Sequence, residues 1–356
     1  MEFSGLISKY PNNRLLTEQE YSHRLDQHEC LNIDPHYQLS VIKSNSSYME
    51  SVDKWYAWKG IITAVSFAVL LILNATLGWG ALEWILEGLG IFPSPLEPTV
   101  LLANGIGMAL VVSLLDCGVA WLLAKDSFAY THYPIRFNRK TRTVHVFRTD
   151  GTVLSAQWDK IFFTLGHTGH FNEWEVRGHV LEPDDVTVRE TFALSYVGHL
   201  SAKEIASNAK AYFPQDFVRA HWEFIRRYME DGPQAVSSQI QFCMPVDRRR
   251  ESFRVGMERV FANFVGAPFL VYWTMFPFCL GVSVFRWFAM HTSKIPQWPQ
   301  EVDASCRVES DDPYAIEGAS DGERVAVFPE AALAAGVRFC APPRASTATA
   351  ETVGRT

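Results

Sequence analysis

The sequence predicts an α+β membrane protein: a transmembrane helical hairpin near the N-terminus, a β-rich module behind it, and a third hydrophobic segment. Three observations predict this. Two long stretches lack the charges a soluble surface needs, the region after them alternates apolar and polar residues at strand period, and Lys and Arg flank that pair of stretches while the loop between them has none. The 356 residues carry 32 Lys and Arg against 39 Asp and Glu, a net charge of −7 that argues against a generally basic nucleic-acid binder. Six cysteines without a CxxC pair exclude a disulfide-dense scaffold and any recognisable zinc or iron–sulfur module.

Residues 1–58 read as a cytoplasmic arm, polar and loose, with one short strand at Leu39 to Ile42 that could add to the β-rich module. No short apolar leader with a small-residue cleavage site lies near Met1, so the first span is expected to act as the insertion signal.

Residues 59–125 read as the hairpin. Its first stretch, GIITAVSFAVLLILNATLGWGAL, holds 23 residues without a charge, and a span needs about 20. Asn74 and Thr76 are its notable polar residues. The second, TVLLANGIGMALVVSLLDCGVAWLLA, carries a single charge, Asp116. Gly105 and Gly107 supply small residues where a helix, in this chain or a second copy, could approach closely. Two buried helices of a soluble protein are the competing reading, but uncharged runs of this length are unusual in soluble cores. Between the stretches lie Glu83, Glu87 and Glu97, three prolines and no Lys or Arg. Lys43, Lys54 and Lys59 precede the pair, and Lys125, Arg136, Arg139, Lys140 and Arg142 follow it. The positive-inside rule therefore puts the loop outside and both flanks in the cytoplasm. Trp55, Tyr56, Trp58, Trp79 and Trp84 stand where interfacial aromatics belong.

Residues 126–235 read as a cytoplasmic β-rich domain with a closing helix. IRFNRKTRTVHVFR alternates around a turn, and Asp150-Gly151 marks a hairpin. VLSAQWDKIFFTL, EWEVRGHVLE and VTVRETFALS continue as strands, with Trp158 inward. Residues 201–230 then read as helical. Ser201 and Glu204 form a capping-box pattern, and Phe217, Trp222, Phe224, Ile225 and Tyr228 make an apolar face. Strands closed by a helix beside a membrane are similar to a pleckstrin-homology-like barrel, an analogy of fold that implies no ligand. Arg136, Arg139, Lys140, Arg142 and Arg148 form the candidate face for lipid phosphate or a partner, against the plainer reading of a solvated strand face.

Residues 236–299 read as a basic amphipathic linker with the third hydrophobic segment. Residues 260–285 hold no charge but contain Pro268 and Pro277. Arginines precede this run, and Arg286 and Lys294 follow it, as a re-entrant hairpin or a kinked third span would each allow. Residues 300–356 read as an acidic, partly disordered tail. If the third segment crosses, Cys306 and Cys340 lie outside the cytoplasm and can form a disulfide; if it re-enters, they stay thiols. Cys117 and Cys279 read as small apolar fillers.

The stretches YTHYPIRFNRKTRTVHVFR, QWDKIFF and PQWPQEV together resemble a family of proteobacterial inner-membrane proteins of unknown function, across about residues 40–315. That resemblance implies two early spans and a PIRFNRK core. It also implies a gene neighbourhood near type VI secretion effectors, hence an accessory or immunity role by protein binding, and it offers no catalytic motif to carry over.

The residues agree in offering no chemistry. Nucleophile elbows, P-loops, HExxH and a strand–helix GxGxxG are absent. His167 and His170 have metal-compatible spacing, which His179 and Glu173 could complete from adjacent strands, but polar loop histidines are the default and no metal or cofactor is expected. Asp116 is the sharpest single residue, because an acid within a span marks a functional site or a buried polar pair. It is expected to bond Asn74 or Thr76, with an ion path or partner recognition as alternatives. The expected protein is thus non-enzymatic, with lipid, a secretion-system toxin or a second copy as partners. A lipid-sensing scaffold and an oligomeric channel are the competing functions.

Overall fold

In the computed structural model the described residues are 5–168, 173–198, 214–240, 243–262 and 269–317. Two antiparallel sheets and several helices make an α+β fold. The arm supplies β1 (Arg14–Leu15), α1 (Glu18–Ser22), β2 (Arg24–Leu25), β3 (Val41–Ser44) and β4 (Tyr48–Ser51). Next come α2 (Ile61–Leu73), a π-turn at Asn74–Gly78, α3 (Trp79–Gly88) and α4 (Pro98–Asp126). The chain then returns to strands β5 (Ile135–Asn138), β6 (Thr143–Phe147), β7 (Val153–Gln157), β8 (Ile161–Thr168), β9 (Glu173–Leu181) and β10 (Thr187–Gly198). After these follow α5 (Pro214–Glu230), α6 (Phe253–Ala262), α7 (Phe269–Thr292), α8 (Gln300–Ser305) and β11 (Ile316–Glu317). The sheet orders are β1-β10-β9-β8-β2 and β11-β3-β4-β5-β6-β7.

The expected strands after residue 134 form, with Gly151 in the left-handed region at the β6–β7 turn. The arm is a correction. It is not loose: β3 and β4 form a hairpin inside the six-stranded sheet. Its turn is fixed by Asn45, whose side chain accepts the N–H groups of Ser47 and Tyr48, each at 2.9 Å. The alternation that betrays a half-buried strand is missing here because both faces are covered, so Val41, Ile42, Lys43 and Ser44 are all buried.

The position of β4 fixes the path of the first two apolar helices. β4 pairs with β5, with Ser51 opposite Ile135, so α2 to α4 are inserted between adjacent strands of one sheet. The insert therefore leaves and returns at neighbouring ends of two paired strands. The third segment behaves alike. Before it, the Met244 N–H bonds the Val41 carbonyl at 2.7 Å. After it, Lys294 bonds Ala129 and β11 pairs with β3. α6 runs antiparallel to α7: Glu251 meets Arg286, Val260 clusters with Cys279 and Val282, and Phe261 meets Phe276. α7 continues through Pro277 in one piece.

One core joins both sheets. Trp222 of α5 stacks on Trp158 with ring centroids 5.5 Å apart, and Phe163 lies 4.6 Å from Trp222. Phe224, Ile225 and Tyr228 are fully buried, while Phe217 is only half-buried and Val218 takes its place. The Ser201–Glu204 capping box lies outside the described residues. Among the described residues, three helices are long and apolar enough to cross a membrane: Tyr56–Gly88, Pro98–Asp126 and Trp273–Thr292.

Candidate functional site

The charged residues of greatest interest lie where the helices meet the sheets. A helix N-terminus has unpaired N–H groups and favours an anion. At the start of α2 that anion is Asp126, from the far end of α4. Its Oδ2 accepts the N–H groups of Gly60 and Thr63, each at 3.0 Å, and the Thr63 hydroxyl at 2.7 Å. Lys59 donates to the carbonyls of Asp126 and Tyr130. The two ends of the insert are thereby tied to each other.

Beside them lies a fully buried ion pair. The Arg286 guanidinium forks onto Glu251 at 2.5 and 2.9 Å and donates to the Tyr56 carbonyl at 2.8 Å. The Tyr56 hydroxyl completes the carboxylate shell at 2.6 Å, and its ring lies 4.8 Å from the guanidinium. Such a pair is stable only when every donor and lone pair is used. Gly60, at φ +92°, brings its backbone so close to Arg286 that a Cβ there would fall 2.3 Å from the Arg286 Cα.

Next to this collar are Asp53 and His132. Asp53 accepts the N–H groups of Tyr133 and Trp55 at 2.7 and 2.8 Å, yet burial holds its carboxyl above the usual range. Burial, with Lys59 nearby, pushes the His132 imidazole down to about 3. Between the collar, Trp55, Trp58, Lys125 and Glu173 opens a cavity of about 240 Å³. A second, of about 370 Å³, lies between the sheets beside Tyr10, Lys54 and Arg148. There the buried Glu175 accepts from Lys54, from Arg177 at 2.7 Å and from Tyr10 at 3.2 Å.

The five basic residues expected to share a face do not converge on one. Arg136 is buried in the six-stranded sheet. It holds Glu50 and Asp303 at 2.7 Å each, with the Tyr48 and Trp298 rings 4.8 and 4.7 Å from it. Arg142 pairs with Asp159 and Glu230, Arg148 with Glu190, and the exposed Lys140 with Glu309. Arg139 is half-buried, its N–H on the Ser47 carbonyl. Their charges are largely matched by carboxylates. The reason is the tail: residues 298–306 cover the sheet face that Arg136 and Asn138 present, so that Asn138 bonds the Ser305 carbonyl at 2.8 Å. The PIRFNRK and PQWPQEV stretches meet in space, and Trp158 of QWDKIFF stands in the core under them.

Asp116 bonds Asn74, at 3.0 and 3.1 Å, across α4 and the π-turn. Gly105 packs inside the hairpin, where a Cβ would lie 2.7 Å from Ile85 and 3.0 Å from the Ala81 carbonyl. Gly107 faces open space. Cys306 is buried beside Asn138, so it offers little to a labelling reagent; Cys340 lies outside the described residues. Cys279 is buried as expected, but Cys117 is exposed. The histidines are apart. Phe162, not His167, stands opposite His179, whose Nδ1 meets the Thr191 hydroxyl and whose Nε2 meets Glu20. His170 lies outside the described residues, and among those described no His, Cys, Asp and Glu cluster could hold a metal.

Sequence reasoning missed Tyr56, Asp126, Glu251 and Arg286. A signal existed: Asp126 and Arg286 are charges set at the ends of apolar runs, where an unpaired ion is costly. Their partners lie up to 230 residues away, and nothing local identifies them.

No curated protein and no solved structure matches the chain. Residues 112–310, more than half of the chain, match a family of unknown function; the match begins in α4, takes in β5 to β10, Asp126, Glu251, Arg286 and α7, and ends just after α8. The chain belongs to that family, DUF6708.

Proposed function

We propose that this chain is a bacterial inner-membrane protein that holds its α+β module against the cytoplasmic face and acts by binding, not by catalysis. The observation that carries the reading is the pairing of β4 with β5 across the first insert. Helices apolar enough to cross a bilayer leave from and return to neighbouring ends of two central strands, which supports every flank lying on one side. The Lys and Arg of those flanks make that side the cytoplasm. By the same logic the third segment enters with α6 and returns with α7, re-entrant within the inner leaflet side. The module itself is read as pleckstrin-homology-like, supported by α5 closing two antiparallel sheets.

The partner we propose is a toxin or accessory protein of a type VI secretion system, with the chain as its immunity or accessory factor. This rests on the resemblance carried by the PIRFNRK and PQWPQEV stretches, whose meeting in space makes them one structural unit. The loop between α3 and α4 is short, so the module offers the larger surface. Co-expression of the full chain with the product of the adjacent gene is the test. Rescue of growth and co-purification in detergent are expected. Neither rescue nor co-purification overturns the immunity reading, and release of the chain from membranes by alkaline carbonate overturns the membrane reading.

A further inference from the structure

The cavity at the base of the first insert is walled by apolar and aromatic groups, with a few charges among them. Most of those charges are already used. Lys59 is spent on two carbonyls, Asp126 on the start of α2, and Asp53 on two N–H groups. Two are not. The Lys125 ammonium lies 5.3 Å from the Trp121 ring centroid and has no carboxylate partner among the described residues. Glu173 is half-buried on the opposite part of the chain, at the start of β9, and its carboxylate has no hydrogen-bond or ion-pair partner among the described residues. One spare cation and one spare anion on an apolar wall suit a ligand that is itself neutral overall and carries both signs.

We propose that this cavity binds the headgroup of a zwitterionic phospholipid bearing a primary ammonium, its phosphate on Lys125 and its ammonium on Glu173. The site's level supports a lipid: Ile61 and Ile62 open α2 and Lys125 lies in the last turn of α4, where an interface would lie. Trp58, 40% exposed, stands beside them as interfacial tryptophans do. The volume of about 240 Å³ falls below the roughly 300–1,000 Å³ of pockets for whole drug-sized ligands. It therefore takes a headgroup and leaves the acyl chains along α2. A primary ammonium donates hydrogen bonds to the Glu173 carboxylate, whereas a quaternary one has none to donate and keeps only its attraction to aromatic faces. An anionic headgroup without an amine leaves Glu173 buried beside like charge.

The assignment rests on the membrane reading above, and the two fail separately. The full chain is reconstituted in nanodiscs of equal phosphatidylethanolamine, phosphatidylcholine and phosphatidylglycerol, then stripped into mild detergent. Retained lipid is counted by native mass spectrometry. Wild type is expected to retain one phosphatidylethanolamine, at least fivefold enriched over the other two. Glu173→Gln and Lys125→Gln should each bring that ratio near one while staying in the carbonate-washed membrane fraction with unchanged thermal melting. Excess glycerophosphoethanolamine, which has no acyl chains, should displace little of the lipid. Equal retention of the three lipids, or enrichment unaltered in Glu173→Gln, overturns the site. Ready displacement by the soluble headgroup overturns its assignment to a lipid. A wild-type chain that carbonate releases overturns the membrane reading and the site with it.

Discussion

The two helical inserts leave the same module and return to it, yet the middle of the first and the base of the second are fastened by different physics. Within the first, α3 and α4 are held by close approach. Gly88 lies against Leu102 and Gly105 against Ile85 and Ala81, and the polar contact of the middle is the Asp116–Asn74 pair. The second is pinned at its base by Arg286 on Glu251, sealed by Tyr56 and by the Gly60 backbone. The second contact is buried and its carboxylate takes three hydrogen bonds, so full charges can persist there. The middle of the first insert has protein on one side alone. Small residues and dispersion do that work, because lipid offers no hydrophobic driving force between helices.

Breaking the second fastening should give the largest effect of any single substitution. Glu251→Ala leaves a buried guanidinium unpaired and should cost about 3–5 kcal/mol, read by chemical denaturation of the detergent-solubilised chain. Adding Arg286→Met should recover part of it. An unchanged midpoint for Glu251→Ala would mean that the pair does not fasten α6 to α7.

Gly105→Leu is the matching test of the first insert. Its side chain must enter the α3–α4 contact, and overpacking of that kind costs about 1–3 kcal/mol. Gly107→Leu, facing open space, should stay within about 0.5 kcal/mol. Equal effects in the same denaturation experiment would show that the helices do not pack as described.

Acid should sharpen the contrast next, because it strikes buried imidazoles at the base and in the sheets alike. Burial pushes His132 down to about 3, and His145 and His221 to about 4. In the unfolded chain a histidine titrates near 6.5, so below that value the unfolded state takes protons that the folded state refuses. Their contribution is complete above pH 6.5 and is lost as pH falls from there toward the folded values. Each should cost about 1.4 kcal/mol per pH unit in that window. Melting at pH 7.0, 6.0 and 5.0 should show the fall, and His145→Gln should flatten the slope. A midpoint independent of pH across this range would contradict the burial of all three.

The smallest effect is expected at Asp116. Polar pairs between membrane helices average about 0.6 kcal/mol, so Asp116→Ala should lower melting slightly and accumulation in cells modestly. Normal protein level with lost activity would instead give Asp116 a functional role.

Much of the fold was legible where one face of an element meets water or lipid. The strands from Ile135 to Gly198 alternate, and the apolar helices run without charge. β3 was legible in part, as the short strand at Leu39 to Ile42, but β4 was not, because Lys43 and Glu50 look like surface residues and are buried with Asp247 and Arg136 as partners. The same blindness made Arg136 look like part of an open basic face. A charge in the sequence carries no mark of its partner, and the partners of Arg136 arrive from β4 and from the tail.

Taken alone, the sequence determined which segments avoid water, where the strands after Pro134 run, and that Lys and Arg crowd the flanks of the apolar runs. These are local properties, set by side-chain transfer energies and by backbone period. Only the tertiary structure decided that β4 and β5 are neighbours across an insert, that Arg286 and Glu251 neutralise each other, and that Lys125 and Glu173 share a cavity without an ion-pair partner among the described residues. Those relations join residues far apart in the chain, and burial makes a distant contact decisive because an ion removed from water must find its counter-charge wherever the fold brings one.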